Sequence, residues 1–325
     1  MKARKVALSL AGTVLALGAG EGALRLLDLA RLAPTTYVGE HENRPSENFV
    51  PDPRTGWRMR PSHAFEWEVE GTRILYRSDA DGFRTASEGA PPEGERRLVV
   101  AGDSFAWGTG VPYEATFGAR LAEALGGWTL LNLAMPGYGL DQVWLSLRHY
   151  GLPTRPDLAV VAIYPEDFER SRTAFRVKEG FNKPTFKLED GALALRTAED
   201  RPGAAVRWLE SRSRLFTAWK GLVRRAGRVV PLGEWWTLNE AILDAIRADG
   251  EAAGVPVLFV HVPPKEWRRF PTLSRYMERA GALYVDPASA RSDPPDGTYY
   301  EIDSHLSPEG HRLFAEWIRE AYRPR

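Results

Sequence analysis

The strongest constraint on the fold is an alternation of short apolar runs and amphipathic segments that begins at Arg97. The runs have the length of buried strands, and the segments between them carry the apolar repeat of helices. The runs are residues 98–101, 129–133, 157–164, 255–262 and 282–285. Strands that alternate with helices form a parallel sheet with helices on both faces. The sequence therefore predicts an α/β fold, a three-layer sandwich around a central, mostly parallel sheet.

The first apolar run ends in a glycine and then presents a serine, in the order Gly102, Asp103, Ser104. Glycine permits a tight exit from the strand, and ligands of such sheets bind beyond the carboxyl ends of the strands. A serine hydroxyl needs a base and a carboxylate that orients this base. Asp303 and His305 supply both just before a C-terminal helix. The sequence predicts that Ser104, His305 and Asp303 form a triad.

Two other histidines have simpler interpretations than catalysis. His311 lies inside the C-terminal helix and is predicted to be a surface or packing residue. His261 closes the fourth apolar run, where packing is again the main interpretation and contact with a substrate is the alternative.

Charge and cysteine content exclude several classes of function. The 43 basic and 43 acidic residues give a formal net charge of zero, so there is no overall field that would attract nucleic acid. The chain has no cysteine, which excludes disulfides, thiolate metal sites and a cysteine nucleophile. No metal, cofactor or nucleic-acid partner is predicted.

The N-terminus predicts a signal peptide or membrane anchor over residues 1–32. A basic head, Met1 to Lys5, precedes an apolar run from Val6 to Gly20. Such a run fits a secretory signal and is short for a bilayer span, although a helical pattern continues beyond it. An uncleaved anchor is slightly favoured over cleavage, and a soluble amphipathic helix is the third interpretation. We expect an exported protein, held by a membrane helix and facing the periplasm or exterior, or secreted after cleavage.

Two further segments flank or interrupt the alternation. Residues 33–95 are rich in proline, charge and turn pairs, and predict a tether with a small β-rich extension that leans on the core. Residues 168–234 break the pattern and predict an insertion that caps the active-site face. Within the insertion, 185–195 predicts a hairpin around an Asp-Gly turn. A basic amphipathic stretch at 206–230 predicts a helix that packs on the core, with contact to anionic lipid or acidic polysaccharide as the alternative.

Four short blocks resemble those of the SGNH hydrolases, the GDSL-type esterase superfamily. The blocks are Gly102-Asp103-Ser104-Phe105, Pro136-Gly137-Tyr138-Gly139, Tyr164-Pro165-Glu166-Asp167 and Asp303-x-His305. The resemblance spans about residues 96 to 322, and implies a hydrolase domain over 96–325 with a flavodoxin-like sheet. It also implies an oxyanion hole from the amides of Ser104 and Gly137, with a third donor at position 166. The family has asparagine there, whereas an ionised Glu166 only accepts hydrogen bonds and repels developing negative charge.

The resemblance implies an extracytoplasmic serine esterase that works through an acyl-enzyme, with an acylated carbohydrate as one substrate class. Two alternatives stay open. One is an O-acyltransferase that passes the acyl group to a cell-surface polysaccharide. The other is a binding protein that has lost most turnover because Glu166 replaces the asparagine.

Overall fold

A computed structural model describes residues 16–23, 47–86, 96–173, 175–176, 181–195, 213, 215–216, 219 and 233–322. The chain divides into two compact units, one comprising 45–176, 181–197 and 235–325, and the other 1–44, 177–180 and 198–234. In the second unit, residues 16–23 are helical, and the Glu21 carboxylate accepts hydrogen bonds from the Ser213 hydroxyl and the Leu215 amide, both at 2.9 Å.

Several predicted segments lie mostly or wholly outside the described residues. They are the signal or anchor at 1–32 apart from 16–23, the tether up to residue 46, and the basic stretch at 206–230 apart from four residues. Among the helices that are described, none is both long and apolar enough to cross a bilayer.

The elements of the larger unit are as follows. The strands are β1 Phe49–Asp52, β2 Gly56–Met59, β3 Ala64–Val69, β4 Thr72–Ser78, β5 Arg84–Thr85, β6 Arg97–Ala101, β7 Thr129–Asn132, β8 Leu158–Ile163, β9 Phe175–Arg176, β10 Phe181–Asn182, β11 Phe186–Glu189, β12 Ala192–Leu195, β13 Val257–His261 and β14 Leu283–Val285. The α-helices are α1 Ser104–Trp107, α2 Phe117–Ala124, α3 Leu140–Ser146, α4 Pro165–Arg170, α5 Gly233–Ala253, α6 Pro271–Arg279, α7 Pro287–Ala290 and α8 Pro308–Ala321. Short 3-10 helices occupy Tyr113–Ala115 and Leu152–Thr154, and α3 continues as a π-helical turn, Leu147–Gly151.

The main sheet follows the order β14-β13-β8-β6-β7-β5-β4-β3. The first five of these strands are parallel to one another. Numbered along the chain, the five parallel strands have the spatial order 2-1-3-4-5, which is the flavodoxin-like arrangement. Every residue of β8 is buried, as expected for a strand covered on both faces. The predicted α/β fold with a mostly parallel sheet is confirmed.

Helices cover both faces of the sheet and complete the three layers. Strand β7 lies on one side of β6 in the sheet, and β8 lies on the other side. Right-handed crossovers therefore place α2, between β6 and β7, and α3, between β7 and β8, on opposite faces of the sheet. Helix α8 packs against α2. On the other face, the Trp144 indole of α3 donates to Asp249 of α5 at 2.8 Å, and the Tyr276 hydroxyl of α6 donates to Asp244 of α5 at 2.7 Å.

The β-rich extension forms strands, but it is not a separate layer that leans on the core. Strand β5 pairs antiparallel with β7 through Arg84 and Asn132, and β4 and β3 follow at the edge. An uncovered β7 would be an exposed edge, which native sheets avoid. The extension therefore continues the main sheet, and the predicted boundary at residue 95 does not separate two bodies.

The predicted hairpin is present as β11 and β12. Its turn residues Asp190 and Gly191 both have positive φ, at 50° and 82°, as a two-residue hairpin turn requires. Just before the hairpin, the Lys183 ammonium contacts the Asp141 carboxylate of α3, and both side chains are fully buried. This ion pair fastens the segment to α3. Helix α4 runs to Arg170, so the insertion begins after that residue and not at 168.

Candidate active site

The turn between β6 and α1 presents the Ser104 side chain. The Asp103 carboxylate caps α1 by accepting a hydrogen bond from the Phe105 amide at 3.0 Å. Gly102 is required by close packing, because a Cβ there would lie 2.7 Å from the side chain of Ala106 and 3.1 Å from Ala162. Ser104 is thus the first residue of a helix, where the amide has no acceptor within the helix. That amide is free to bind an anionic oxygen.

Ser104, His305 and Asp303 lie in hydrogen-bond contact. His305 Nε2 is 2.8 Å from Ser104 Oγ, and His305 Nδ1 contacts Asp303 Oδ1. A carboxylate accepts the proton of Nδ1, which leaves Nε2 as the acceptor for the serine hydroxyl. The Asp303 side chain is buried and that of His305 is partly exposed, so solvent reaches the imidazole but hardly the carboxylate. The structure brings the three predicted residues together in the predicted order.

The helix that follows His305 begins at a defined cap. Ser307 is the N-cap of α8, and its hydroxyl oxygen accepts hydrogen bonds from the amides of Glu309 and Gly310, both at 3.1 Å. Pro308 occupies the first helical position, where the missing N–H costs nothing. This cap fixes where the helix starts, just after His305.

Gly137 lies in a tight turn beside the turn that presents Ser104. The Tyr138 amide donates to the Met135 carbonyl at 3.2 Å, and Gly137 has φ +80° after a proline. Proline followed by a glycine with positive φ is the pattern of a type II turn. The Met135 amide also donates to the Gly102 carbonyl at 3.1 Å, which holds the turn against the end of β6. The second block therefore lies next to the first.

The third block is the start of α4. Asp167 is buried and accepts a hydrogen bond from the Tyr164 amide at 2.8 Å, so it caps the helix that it belongs to. The neighbouring Glu166 side chain is 61% exposed. Its carboxylate lies 3.2 Å from the Arg170 guanidinium, one helical turn later. The structure therefore shows Glu166 as one half of an ion pair and not as an isolated negative charge.

Arg170 connects the third block to the turn that presents Ser104, and sequence reasoning missed it. One of its terminal nitrogens, Nη1, lies 2.8 Å from Asp103, 2.8 Å from Asp167 and 3.2 Å from the Tyr138 carbonyl. Burial opposes the charged form, but the neighbouring carboxylates of Asp167, Asp103 and Glu166 outweigh it and raise the pKa of Arg170. The signal in the sequence was the spacing, since Arg170 follows Glu166 by four positions and Asp167 by three.

The other two histidines are buried, as packing residues are. His261 Nδ1 lies 2.9 Å from the Asp286 carboxylate, which also accepts from the Ser274 hydroxyl at 3.1 Å. His311 Nδ1 accepts a hydrogen bond from the Phe117 amide at 3.1 Å. Burial lowers the pKa of His311 to about 3, so this ring is neutral. In the described part of the chain, no group of three or more histidine and acidic side chains is arranged to hold a metal ion.

Comparison with known proteins gave matches among solved structures alone. No family model and no curated protein matches the chain. A GDSL-like lipase from Bacteroides thetaiotaomicron is 13% identical, with 72% of this chain and 90% of that chain covered and a TM-score of 0.40. A psychrotrophic esterase from Pseudoalteromonas is 12% identical, with 70% and 96% covered and a TM-score of 0.38. An acetyl-xylooligosaccharide esterase from Geobacillus is 15% identical, with 71% and 98% covered and a TM-score of 0.42.

The chain resembles the SGNH hydrolases. Its own strand order and the meeting of the four blocks at one end of the sheet carry this statement, since identities of 12–15% are low. Of the four blocks, those at Ser104, Gly137 and His305 lie together: Ser104 contacts His305, and the turn of Gly137 lies against the end of β6. The block at Glu166 differs, because a carboxylate paired with Arg170 stands where the family has asparagine.

Proposed function

We propose that this chain is a serine ester hydrolase of the SGNH type. The observation that carries the proposal is the continuous contact from Ser104 Oγ to His305 Nε2, at 2.8 Å, and from His305 Nδ1 to Asp303. A serine hydroxyl with an oriented imidazole base is the arrangement that nucleophilic acyl transfer needs. In this proposal Ser104 is the nucleophile, His305 the general base and Asp303 the orienting carboxylate.

The proposed reaction has two halves. Ser104 Oγ attacks the ester carbonyl while His305 Nε2 takes its proton, and the amides of Ser104 and Gly137 bind the resulting oxyanion. The tetrahedral intermediate collapses to an acyl-enzyme as His305 gives the proton to the leaving alcohol. In the second half, His305 takes a proton from a water molecule as the water oxygen attacks the acyl carbon. His305 then gives this proton to Ser104 Oγ as the acyl–Oγ bond breaks, and the acyl group leaves as a carboxylic acid. Asp303 stays ionised throughout and stabilises the imidazolium.

The ion pair at position 166 affects how much activity we expect. An unpaired carboxylate near the oxyanion would oppose the reaction, and the loss of one oxyanion donor costs about 100-fold to 1,000-fold in kcat. The Arg170 guanidinium offsets the charge of Glu166, but it does not replace the missing amide donor. We therefore propose an active enzyme with a kcat below that of a site that keeps the asparagine.

Substitution of the nucleophile tests the proposal. Ser104→Ala should lower the hydrolysis of p-nitrophenyl esters by at least about 1,000-fold and abolish labelling by a fluorophosphonate, because both need the same hydroxyl. Ser292→Ala, on an exposed serine outside the site, is the matched control and should leave both unchanged. Hydrolysis that persists in a folded Ser104→Ala protein would rule out the assignment.

The substrate class belongs to the same proposal. The residues of the site define ester or acyl-transfer chemistry, and we propose an acylated carbohydrate as the natural substrate. A panel of esters of increasing acyl length, together with an acetylated oligosaccharide, would test this. Assays with and without a sugar acceptor would separate hydrolysis from O-acyl transfer. Fluorophosphonate labelling without turnover of any ester would favour the binding-protein alternative.

We also propose that the protein is exported, facing the periplasm or exterior. The basic head Met1 to Lys5, which contains Lys2, Arg4 and Lys5, and the apolar run that ends at Gly20 support this through the positive-inside bias. A reporter fused after Arg325 should be active outside the cytoplasm. Activity of the fused reporter in the cytoplasm alone would contradict the proposal.

A further inference from the structure

A carboxylate outside the triad holds the backbone of the catalytic loop, which we define as residues 300–305. Glu70 Oε1 accepts a hydrogen bond from the Ile302 amide at 2.6 Å and another from the Asp303 amide at 2.8 Å. Hydrogen bonds from the backbone, above all from Asp303, lower the pKa of Glu70 despite the opposing effect of burial. Glu70 thus binds the peptide groups next to the triad carboxylate.

An ammonium group holds the two preceding peptide groups of the same loop. Lys265 Nζ donates to the Tyr300 carbonyl at 3.0 Å and to the Glu301 carbonyl at 2.6 Å. The lysine comes from the loop after β13, and the glutamate from the extension at the other edge of the sheet. Residues 300–303 are therefore held by two opposite charges. The ammonium of Lys265 binds two carbonyl groups, and the carboxylate of Glu70 binds two amides. Hydrogen bonds to charged groups are about twice as strong as neutral ones.

The catalytic loop has a conformation that needs such support. Ser304, between Asp303 and His305, has φ +66°, in the left-handed region that side chains other than glycine disfavour. Such conformations are unfavourable and persist where surrounding contacts hold them. Within the loop, the Tyr300 amide donates to the His305 carbonyl at 2.9 Å. The direction in which the His305 ring points depends on this backbone.

The turn that carries Glu70 lies next to the catalytic loop. Glu70 and Gly71 form the two-residue turn between β3 and β4, and both have positive φ, at 47° and 78°. Next to this turn, the Tyr300 hydroxyl donates to the Gly110 carbonyl at 2.6 Å. A Cβ on Gly110 would lie 2.7 Å from the Tyr300 ring and 3.2 Å from the Val69 side chain. The hairpin, the catalytic loop and the segment after α1 therefore meet at one point.

We propose that Glu70 and Lys265 are positioning residues of the esterase. They touch backbone and no reacting atom, so they act through Asp303 and His305 by keeping these side chains aligned with Ser104. This inference rests on the proposed function. It adds that the β-rich extension, through Glu70, is part of the machinery that sets the triad geometry.

The test compares three variants at the exposed hairpin. Glu70→Ala removes the oxygen that accepts both hydrogen bonds, and Glu70→Gln keeps an amide oxygen that can accept them. Glu68→Ala removes the exposed neighbour that faces Arg73 at 3.9 Å. We expect Glu70→Ala to lower kcat about tenfold with KM changed less than about twofold, because a small displacement of an oriented base reduces the rate strongly. Glu70→Gln should stay within about threefold of the wild-type kcat, and Glu68→Ala should equal the wild type.

A second readout does not depend on turnover. Hydrogen exchange of the peptide that covers residues 300–306 should be faster in Glu70→Ala than in the wild type, and unchanged in Glu68→Ala. Unchanged exchange would overturn the contact itself. Faster exchange with an unaltered kcat and an unaltered rate of fluorophosphonate labelling would overturn the positioning role. Full activity of Ser104→Ala would instead contradict the proposed function, so the two failures are distinguishable.

Substitutions of Lys265 test the other contact with the catalytic loop independently. Lys265→Met should also lower kcat, and Lys265→Arg should restore most of it because a guanidinium can donate to both carbonyls. Since the two side chains hold the same loop, the loss in the double variant Glu70→Ala with Lys265→Met should differ from the product of the single losses. Losses that multiply independently would contradict a shared action on the loop.

Discussion

At the scale of single residues, the site depends on three carboxylates that share one guanidinium. Arg170 binds Asp103, which caps the nucleophile helix, together with Asp167 and Glu166 of α4. Asp103 and Asp167 are buried, so each would carry an uncompensated charge without the arginine. Through the Tyr138 carbonyl, the same side chain also reaches the turn of Gly137. Arg170 is therefore the residue that joins the first three blocks.

Replacing Arg170 should destabilise the fold as well as the reaction. Arg170→Met leaves Asp103 and Asp167 unpaired, and breaking a buried ion pair costs about 3–5 kcal/mol. Arg170→Lys should recover only part of this, because the guanidinium reaches Asp103 and Asp167 through one nitrogen and Glu166 through another, which a single ammonium nitrogen does not reproduce. Urea unfolding measures the loss, and Arg172→Met, which removes an exposed pair at 3.7 Å with Glu169, is the control. Equal stability of the two methionine variants would contradict this account.

Two substitutions of Glu166 separate the effect of its negative charge from the effect of the missing hydrogen-bond donor. Glu166→Gln removes the charge, and because the carboxylate is exposed and paired with Arg170, we expect kcat to rise less than about fivefold. Glu166→Asn also shortens the side chain to that of the family's donor, and should raise kcat about tenfold or more. Steady-state kinetics at neutral pH measure both. An unchanged kcat in the asparagine variant would show that side chains at position 166 do not reach the oxyanion.

The contact of Ser104, His305 and Asp303 could be predicted from the sequence, whereas the residues that support it could not. Serine and histidine at strand and helix ends carry chemistry that few other residue types have, so Ser104 and His305 were recognisable. Arg170, Glu70 and Lys265 are ordinary surface residue types, and their importance comes from what is buried beside them in three dimensions. The i,i+4 spacing of Glu166 and Arg170 is the pattern of any exposed helical ion pair.

At the scale of elements, a strand of only two residues supports the helix that begins at Ser104. The Arg84 guanidinium, which comes from the two-residue strand β5, donates to the carbonyls of Trp107, Gly108 and Val111, each at 2.6 Å. These carbonyls lie at the end of α1 and in the loop after it, where a cation is favourable. Burial lowers the pKa of Arg84 to about 10, so it stays charged at neutral pH. Two residues are too few for a strand period, so the sequence could not predict this pairing.

Helix α8 caps helix α2 through His311, and this contact predicts a pH dependence of stability. The folded pKa of about 3 lies below the ordinary value of 6.5, mainly because of burial. The unfolded chain therefore binds a proton at a higher pH than the folded chain does. The contribution of His311 is fully present above about pH 6.5 and is lost as the pH falls towards 3, by up to about 1.4 kcal/mol per unit.

A neutral acceptor at this position should flatten the pH dependence. His311→Gln can accept from the Phe117 amide but does not titrate, so its free energy of unfolding should fall less between pH 6.5 and pH 4 than that of the wild type. His63→Gln, on a half-buried ring away from α8, should keep the wild-type slope. Identical slopes for the wild type and His311→Gln would mean that His311 is already protonated in the folded protein.

At the scale of the whole molecule, the strand order places the site. The chain reverses direction across the sheet between β6 and β8, and ligands of such sheets bind at that switch point, beyond the carboxyl ends of the strands. Ser104 follows β6 and Glu166 follows β8, so the nucleophile and the third block flank the same crevice. Part of this was predictable, because apolar runs define the parallel strands. The antiparallel edge was not, because extended segments with alternating polarity do not reveal which sheet they join.

The continuity of the sheet leads to a prediction about where the protein can be shortened. A fragment of residues 96–325 contains all four blocks but lacks β1 to β5, and with them the buried side chains of Trp57, Tyr76 and Arg84. Truncation of one buried aromatic side chain costs about 3–5 kcal/mol, and the loss of Arg84 also leaves three carbonyls unpaired. The summed loss in the free energy of unfolding exceeds the whole stability of a typical domain. We expect this fragment to lack cooperative unfolding and ester hydrolysis.

A fragment of residues 45–325, which keeps the complete sheet, should unfold cooperatively and retain Ser104-dependent turnover. Circular dichroism melts and fluorophosphonate labelling of both fragments measure the difference, and a fully active 96–325 fragment would show that the extension is dispensable for both the fold and the site.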